Sequence, residues 1–375
     1  MNSASDRDGQ FAFGTPVRLH YGRGLVDGLA AFCPGAGRVL VVTGRGSAAR
    51  SGLLERVCVA LKGREVEVFG GVEPNPSIET VEHGAAAAIR INADLVIGLG
   101  GGSALDAAKC IAALATNGGR FAPLLGRSDY DHGPLRMIAI PTTCGTGSEA
   151  NRYAIISDLR CNDKVTFESR HTYPAAGILD PSVLDSIPVA LLAETGCDAF
   201  THALEGYTSR RCQPFSDAVA LEAMNLIISS LPGAVDGVGE AKAALLYAAA
   251  LAGIVIDHTG TTMLHAMGYF LTMRHGIAHG KANAVFLPVL FTHLEREIPD
   301  RLDKVYSMFP PDMRGADGIV RYLDALGIEA SPAACGMGRA EAAGFVDYVL
   351  ARKNTANTAG TVTKDRLLGL IDPLW

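Results

Sequence analysis

The sequence predicts an α/β domain, doubly wound around a mostly parallel sheet, followed by an all-α helical domain. Three observations carry this expectation. Up to Asp180, short β-branched apolar runs alternate with helix-length amphipathic segments. From Pro188 onward strand signals vanish and only helical periodicity remains. The chain has 375 residues, 48% of them apolar, which is enough material for two cores.

Each element follows from its local pattern. Residues 11–14 and 17–22 read as short strands around a Gly-Thr-Pro turn, and 24–32 as a helix. The run 38–43 is typical of a strand buried on both faces. A helix over 48–62 and a strand over 65–69 come next. Ser77 is placed to cap a further helix, with Glu79 in its first turn. Strands are expected at 93–98, 137–140, 154–157 and 175–179, and a helix at 103–116. The Asp-Pro to Ile-Pro stretch, 180–188, divides the chain into 1–184 and 185–375. Helices are then expected over 188–209, 215–231, 241–257, 261–273, 282–296, 318–326, 340–351 and 365–370.

Composition narrows the partners. A formal net charge of −6 argues against nucleic acid or anionic lipid as the main one. The eight cysteines contain no C-x-x-C pair and read as reduced core residues of a cytoplasmic protein. Residues 1–10 are polar, with both charge signs and without the apolar core of a signal peptide. The apolar run 243–256 is too short to span a bilayer comfortably, so no membrane is expected.

Doubly wound sheets bind ligands beyond the carboxyl ends of their strands. Two motifs fall there. The run GLGGGS at 98–103 joins a strand to a helix, where glycines let a phosphate approach and a helix N-terminus offers N–H groups. Four glycines in five positions exceed what a tight turn needs, though the run is not a G-x-G-x-x-G. The run PTTCGTGSE at 141–149 suits a ribose or phosphate, and equally a plain polar loop.

The helical half carries a different chemistry. In GCDAFTHALEG at 196–206, Asp198 and His202 are four residues apart, on one face of a helix. A carboxylate and an imidazole so placed can share a divalent cation, or simply hydrogen-bond at a surface. Three of the ten histidines, His265, His275 and His279, fall in the apolar stretch 265–284. An unpaired buried imidazole is costly, so a shared partner is one explanation and a hydrogen-bonded core histidine another.

These motifs, together with EPNP at 73–76, GGGSALDAAK at 100–109 and the 265–283 stretch, run in the order found in the iron-containing (group III) alcohol dehydrogenases. The chain resembles that family over almost its whole length. The resemblance implies a dinucleotide-binding N-terminal domain and a metal-binding helical domain. It implies a metal held by Asp198, His202, His265 and His279, with Fe(II) favoured by precedent and Zn(II) an alternative for the same donors. It assigns the pyrophosphate of NAD or NADP to Gly100, Gly101, Gly102 and Ser103, and the nicotinamide side to Thr142, Thr143 and Thr146. Asn75 and Lys164 are placed toward the nucleotide, although a solvated surface lysine explains Lys164 as well. Asp106 matches a family residue near cofactor and substrate, and is carried as catalytic together with Tyr269 and His275.

Three departures from the family pattern matter. Many members have Asp where this chain has Gly44; an acid there bonds the ribose 2′-OH and repels a 2′-phosphate. With Gly44, and Arg45 or Arg50 near by, NADPH is expected to be accepted. Where many members have another His, four residues after the third ligand, this chain has Tyr269. Tyr269 or His275 can relay the proton instead, or Tyr269 packs in the core and water carries it. Asn151 and Arg152 replace a common Val-Thr, so Arg152 either attracts an anionic substrate or caps a loop. The implied reaction is hydride transfer between a small alcohol or aldehyde and the nicotinamide, in a homodimer or larger homo-oligomer. A dehydroquinate-synthase-like or glycerol-dehydrogenase-like enzyme is the alternative on this architecture. The former uses a Glu and fewer histidines, which Asp198 with three histidines disfavours.

Overall fold

The computed structural model describes residues 10–127, 130–160 and 163–375. Cys161 and residues 1–9, which carry the signal-peptide argument, lie outside the described residues. The chain forms two compact units. One comprises residues 15–143 and 147–187; the other comprises residues 10–14, 144–146 and 188–375.

The first unit is built on a six-stranded parallel sheet. Its strands are β1 (Arg18–Tyr21), β2 (Arg38–Gly44), β3 (Glu65–Val72), β4 (Leu95–Gly100), β5 (Arg136–Pro141) and β8 (Ala176–Leu179), in the order β1-β8-β5-β4-β2-β3. β6 (Ala154–Asp158) and β7 (Asp163–Phe167) form a separate antiparallel pair. The helices are α1 (Ser47–Arg50), α2 (Leu53–Ala60), α3 (Ile78–Arg90) and α4 (Gly102–Asn117). Alternate residues of the central strands bury on opposite faces. Leu40, Val42, Val96, Met137 and Ala139 pack with α3 and α4 in one core. Val39, Val41, Leu95, Ile97, Ile138 and Ile140 are equally buried, as a sheet covered on both sides requires. β2 pairs with β3 on one side and β4 on the other. The chain reverses its direction of winding between β2 and β4, so the crevice beyond their carboxyl ends is the switch point where such sheets bind ligands.

The second unit is helical: α5 (Val189–Thr208), α6 (Pro214–Val235), α7 (Gly239–Thr259), α8 (Met263–His275), α9 (His279–Val285), α10 (Leu287–Glu297), α11 (Pro299–Tyr306), α12 (Gly315–Ala325), α13 (Ala342–Leu350) and α14 (Lys364–Ile371). α6 and α7 each reach the length and apolarity of a membrane span, which the shorter run 243–256 did not suggest. They pack on each other and on α5, as core helices do.

Several local expectations are corrected. Residues 11–14 form no strand; Phe13 instead stacks on His258 and Phe215. The helix expected over 24–32 is only a 3-10 turn, Leu29–Phe32. The helix over 48–62 breaks into α1 and α2 at Gly52, whose φ of 73° interrupts it. The helix over 282–296 breaks into α9 and α10, with Pro288 in the first turn of α10. The strand 154–157 belongs to the β6–β7 pair, not to the parallel sheet.

Candidate metal centre and nucleotide site

α5 sets out the donors. Asp198, His202 and Glu205 recur at i, i+4 and i+7, so all three project from one face. Asp198 and His202 are 2% and 5% exposed, and Glu205 is fully buried. α8 adds His265, also 2% exposed. Ligand atoms of Asp198, His202 and His265 all lie within 4.8 Å of one another. α9 brings His279, more open, with its Nε2 3.9 Å from Asp198 Oδ1.

Hydrogen bonds fix how the rings face. His202 Nδ1 lies 3.3 Å from the Gly145 carbonyl oxygen, which can only accept. His265 Nδ1 meets the Glu205 carboxylate. Both rings therefore carry their proton on Nδ1, and both Nε2 lone pairs turn inward. Those two Nε2 atoms are 2.9 Å apart. Facing lone pairs at that separation repel unless a positive charge joins them. Burial holds the His202 pKa below the usual histidine value, so a neutral ring offering a lone pair is its normal state. Burial alone would raise the Asp198 carboxyl; the His202, His279 and His265 imidazoles and the Asn283 amide outweigh it and keep it an anion. An anionic carboxylate with imidazole lone pairs is the donor set of a divalent transition metal. The residues present fit such an ion.

Two contributors to this cluster are positioning groups that the sequence motifs contained without revealing their part. Glu205 Oε1 accepts from the Thr262 N–H at 2.7 Å and the Thr262 hydroxyl at 2.6 Å, while its other oxygen takes His265. Burial would push Glu205 up, and these partners hold it down. Asn283 donates to Asp198 Oδ1 at 2.9 Å. The i+7 spacing of Glu205 from Asp198 is the signal that could have found the first.

The expected proton-relay residues separate. Tyr269 stacks on His279, with ring centroids 5.4 Å apart, and sits edge-on to His265. His275 lies 3.2 Å from the Glu341 carboxylate instead.

In the sheet unit, the nucleotide candidates gather at the carboxyl ends of β2, β4 and β5. Gly101 caps α4, and a Cβ there would stand 3.2 Å from Thr143, so the threonine turn lies against the glycine loop. The Thr142 N–H donates to the Gly100 carbonyl at 2.9 Å. Thr146 groups with the helical unit, one residue beyond the carbonyl that fixes His202. Asn75 adopts a left-handed φ of 55° and its N–H donates to the Ser103 hydroxyl at 3.2 Å. Gly44 lines an open pocket of about 420 Å³ with Arg45, Gly46 and Gly70. Lys164 lies on β7, opposite Ser157.

Asp106 joins two elements of the sheet unit. Its carboxylate accepts from the Ser148 hydroxyl at 2.6 Å and the Ile155 N–H at 2.9 Å, tying α4 to β6. Lys109, one turn on and buried, donates to Asn151 Oδ1 and the Tyr153 carbonyl. Arg152 is engaged by the Tyr173 and Tyr153 hydroxyls at 3.0 and 3.3 Å, in keeping with the loop-capping alternative.

The chain is similar to known proteins along most of its length. Residues 16–181 match the family model described as iron-containing alcohol dehydrogenase, and residues 192–375 its C-terminal counterpart. Alcohol dehydrogenase 4 of Schizosaccharomyces pombe is 38% identical over 66% of this chain and 60% of its own length. The chain thus spans less than two thirds of that relative. Long-chain-alcohol dehydrogenase 1 of Geobacillus thermodenitrificans is 37% identical over 78% of this chain and 75% of its own. Among solved structures, the iron-containing alcohol dehydrogenase of Thermotoga maritima superposes with a TM-score of 0.87 at 33% identity, covering 97% of this chain and 99% of that one. Long matches across both units, joined to a buried Asp–His–His cluster on the helices that carry it, show that the chain belongs to the iron-containing alcohol dehydrogenase family.

Proposed function

We propose that this chain is a metal-dependent, NAD(P)-linked alcohol dehydrogenase, running also as an aldehyde reductase, with Asp198, His202, His265 and His279 as the metal ligands. The observation that carries the reading is the pair of inward Nε2 lone pairs of His202 and His265, 2.9 Å apart beside the Asp198 carboxylate. Fe(II), or Zn(II) in its place, held by these four residues would supply Lewis acidity toward a substrate oxygen, and a bound nicotinamide would supply the hydride chemistry. The chain's own residues do the rest. Glu205 and the Gly145 carbonyl orient two imidazoles, and burial of Asp198, His202 and His265 excludes water from their side of the site. Gly100, Gly101, Gly102, Ser103, Thr142, Thr143 and Thr146, with Asn75 and Lys164, are proposed to hold the cofactor, and Asp106 to position β6 beside it. The proposed division of labour follows residues 1–184 and 185–375, nucleotide in the first and metal in the second.

The proton is assigned to the Tyr269 hydroxyl, because its ring stacks on His279 whereas His275 is occupied by Glu341. Tyr269→Phe is expected to lower kcat roughly 100-fold at unchanged metal content; an unaltered kcat across pH would hand the proton to water.

NADPH is the proposed cofactor of preference. Gly44 brings no carboxylate to repel a 2′-phosphate, and the Arg45 side of the pocket is open. Among the described residues, neither Arg45 nor Arg50 has an acidic partner. Substrates are short alcohols and aldehydes, the proposed assembly is a homodimer or larger, and the proposed location is the cytoplasm, consistent with seven free cysteines among the described residues. Metal analysis with a panel of short aldehydes and both nicotinamide cofactors tests the metal, substrate and cofactor assignments. One divalent metal per chain and turnover with NADPH above NADH are expected. Turnover in metal-free protein would end the mechanism, and a strong NADH preference would end the cofactor assignment.

A further inference from the structure

We propose that Asn283 is the positioning residue that presets the metal site, and that Gly268 exists to make room for it. This rests on the metal reading above. Asn283 stands on α9, one turn after His279 and on the same face, with no exposed surface. Its Nδ2 lies 2.9 Å from Asp198 Oδ1, 3.2 Å from His265 Nε2 and 3.3 Å from His279 Nε2. One amide nitrogen thus faces the donor atoms contributed by three different helices.

The amide has only one tolerable orientation. Turned over, its oxygen would meet a carboxylate oxygen and the Nε2 lone pair that the Glu205 bond turns inward on His265. As placed, Oδ1 is buried without a donor among the described residues. An unmet buried acceptor ordinarily destabilises the fold. That cost is accepted on the far side of a group whose two N–H bonds face Asp198 Oδ1 and the two imidazole Nε2 atoms, with the carboxylate nearest. α8 shows the same accommodation. A Cβ on Gly268 would land 1.9 Å from Asn283 Oδ1, so any other residue there would drive the amide out of place. A glycine inside a helix is unfavourable against alanine, and this contact gives it a reason.

The physical consequence is a carboxylate whose Oδ1 is engaged before metal arrives, leaving Asp198 with a fixed orientation and its remaining lone pairs for the ion. Removing the donor frees the carboxylate to rotate away in the metal-free protein. Partners of this kind typically change metal affinity 10–100-fold.

The experiment compares wild type, Asn283→Ala and the isosteric Asn283→Asp, stripped and titrated with Co(II) or Zn(II) against a chelator, with Tm recorded with and without metal. Asp198→Ala is the reference for the underlying site. Expected results are a metal Kd at least tenfold weaker in Asn283→Ala, with shifted Co(II) d–d bands. For Asn283→Asp we expect a metal-free Tm below wild type that added metal restores, because two carboxylates then face each other until a cation joins them. A Kd changed by less than tenfold in Asn283→Ala overturns the proposal, as does a Tm loss with Kd unaltered, which would mark Asn283 as packing alone. If Asn283→Ala does not fold, Asn283→Asp decides: Co(II) bands and a metal-free Tm identical to wild type overturn it. Should wild type bind no metal that Asp198→Ala abolishes, the site itself is wrong, a failure distinct from that of Asn283.

Discussion

At the scale of single residues, the metal cluster is governed by tautomers. His265 presents a lone pair on Nε2 because the Glu205 carboxylate accepts a hydrogen bond from its Nδ1–H. A Glu205→Gln side chain keeps the Thr262 contacts through its carbonyl but turns an N–H toward that ring nitrogen. His265 must then move its proton to Nε2 and stop being a ligand. Metal affinity should fall about 10–100-fold with the fold intact, measured by chelator competition; unchanged affinity would remove Glu205 from the account. A second prediction concerns Glu149, which is 2% exposed. Burial raises its carboxyl from 4.5 to about 7, with Lys109 opposing. The folded state therefore binds a proton that the unfolded chain has released. Stability from this group is fully present below pH 4.5 and is lost as pH rises through about 7. Glu149→Gln removes that dependence. Its stability advantage over wild type, read by denaturant unfolding, should grow between pH 5 and pH 8, toward a ceiling of about 3 kcal/mol. A pH-independent difference would place the perturbation elsewhere.

At the scale of elements, legibility in the sequence followed burial pattern. The parallel strands β2, β4 and β5 were readable because both faces are buried and the runs are continuously apolar. β7 was missed because Asp163, Lys164 and Thr166 give it a polar strand signature with one apolar edge. The two broken helices were read as continuous because apolar periodicity persists across Gly52 and across Phe286, where only backbone geometry changes. The four proposed ligand residues were legible as motifs through the family resemblance. Asn283 and Glu205 as positioning groups were not, since the Asp198 that Asn283 bonds and the His265 that Glu205 bonds are 85 and 60 residues away in the chain. The placement of α9 has a functional correlate. α9 lies so close to α5 that a Cβ on Gly280 would stand 2.2 Å from the Glu194 carbonyl oxygen. Backbone cannot yield there as a flexible side chain would. Gly280→Ala should push α9 outward, cost about 1–3 kcal/mol and carry His279 away from Asp198. Thermal unfolding together with the metal-to-protein ratio checks this; wild-type values for both would show that α9 adjusts freely.

At the scale of the whole molecule, two units with separate cores imply that each cofactor stabilises the unit that binds it. The single tryptophan of the sequence, Trp375, lines a surface groove with Leu368 and Ile371 in the helical unit. Its fluorescence reports that unit and not the sheet. A metal bound only by the folded state adds about 2.7 kcal/mol when present at 100 times its Kd. For a unit of this size, each kcal/mol moves Tm by about 2–4 °C. Loading stripped protein with Fe(II) or Zn(II) should therefore raise the tryptophan-monitored transition by roughly 5–10 °C. The same metal should leave Asp198→Ala unmoved, because the carboxylate that anchors the three imidazoles is gone. An equal rise in Asp198→Ala would mean that the ion binds elsewhere on the helical unit, and the convergence of α5, α8 and α9 would then need another explanation.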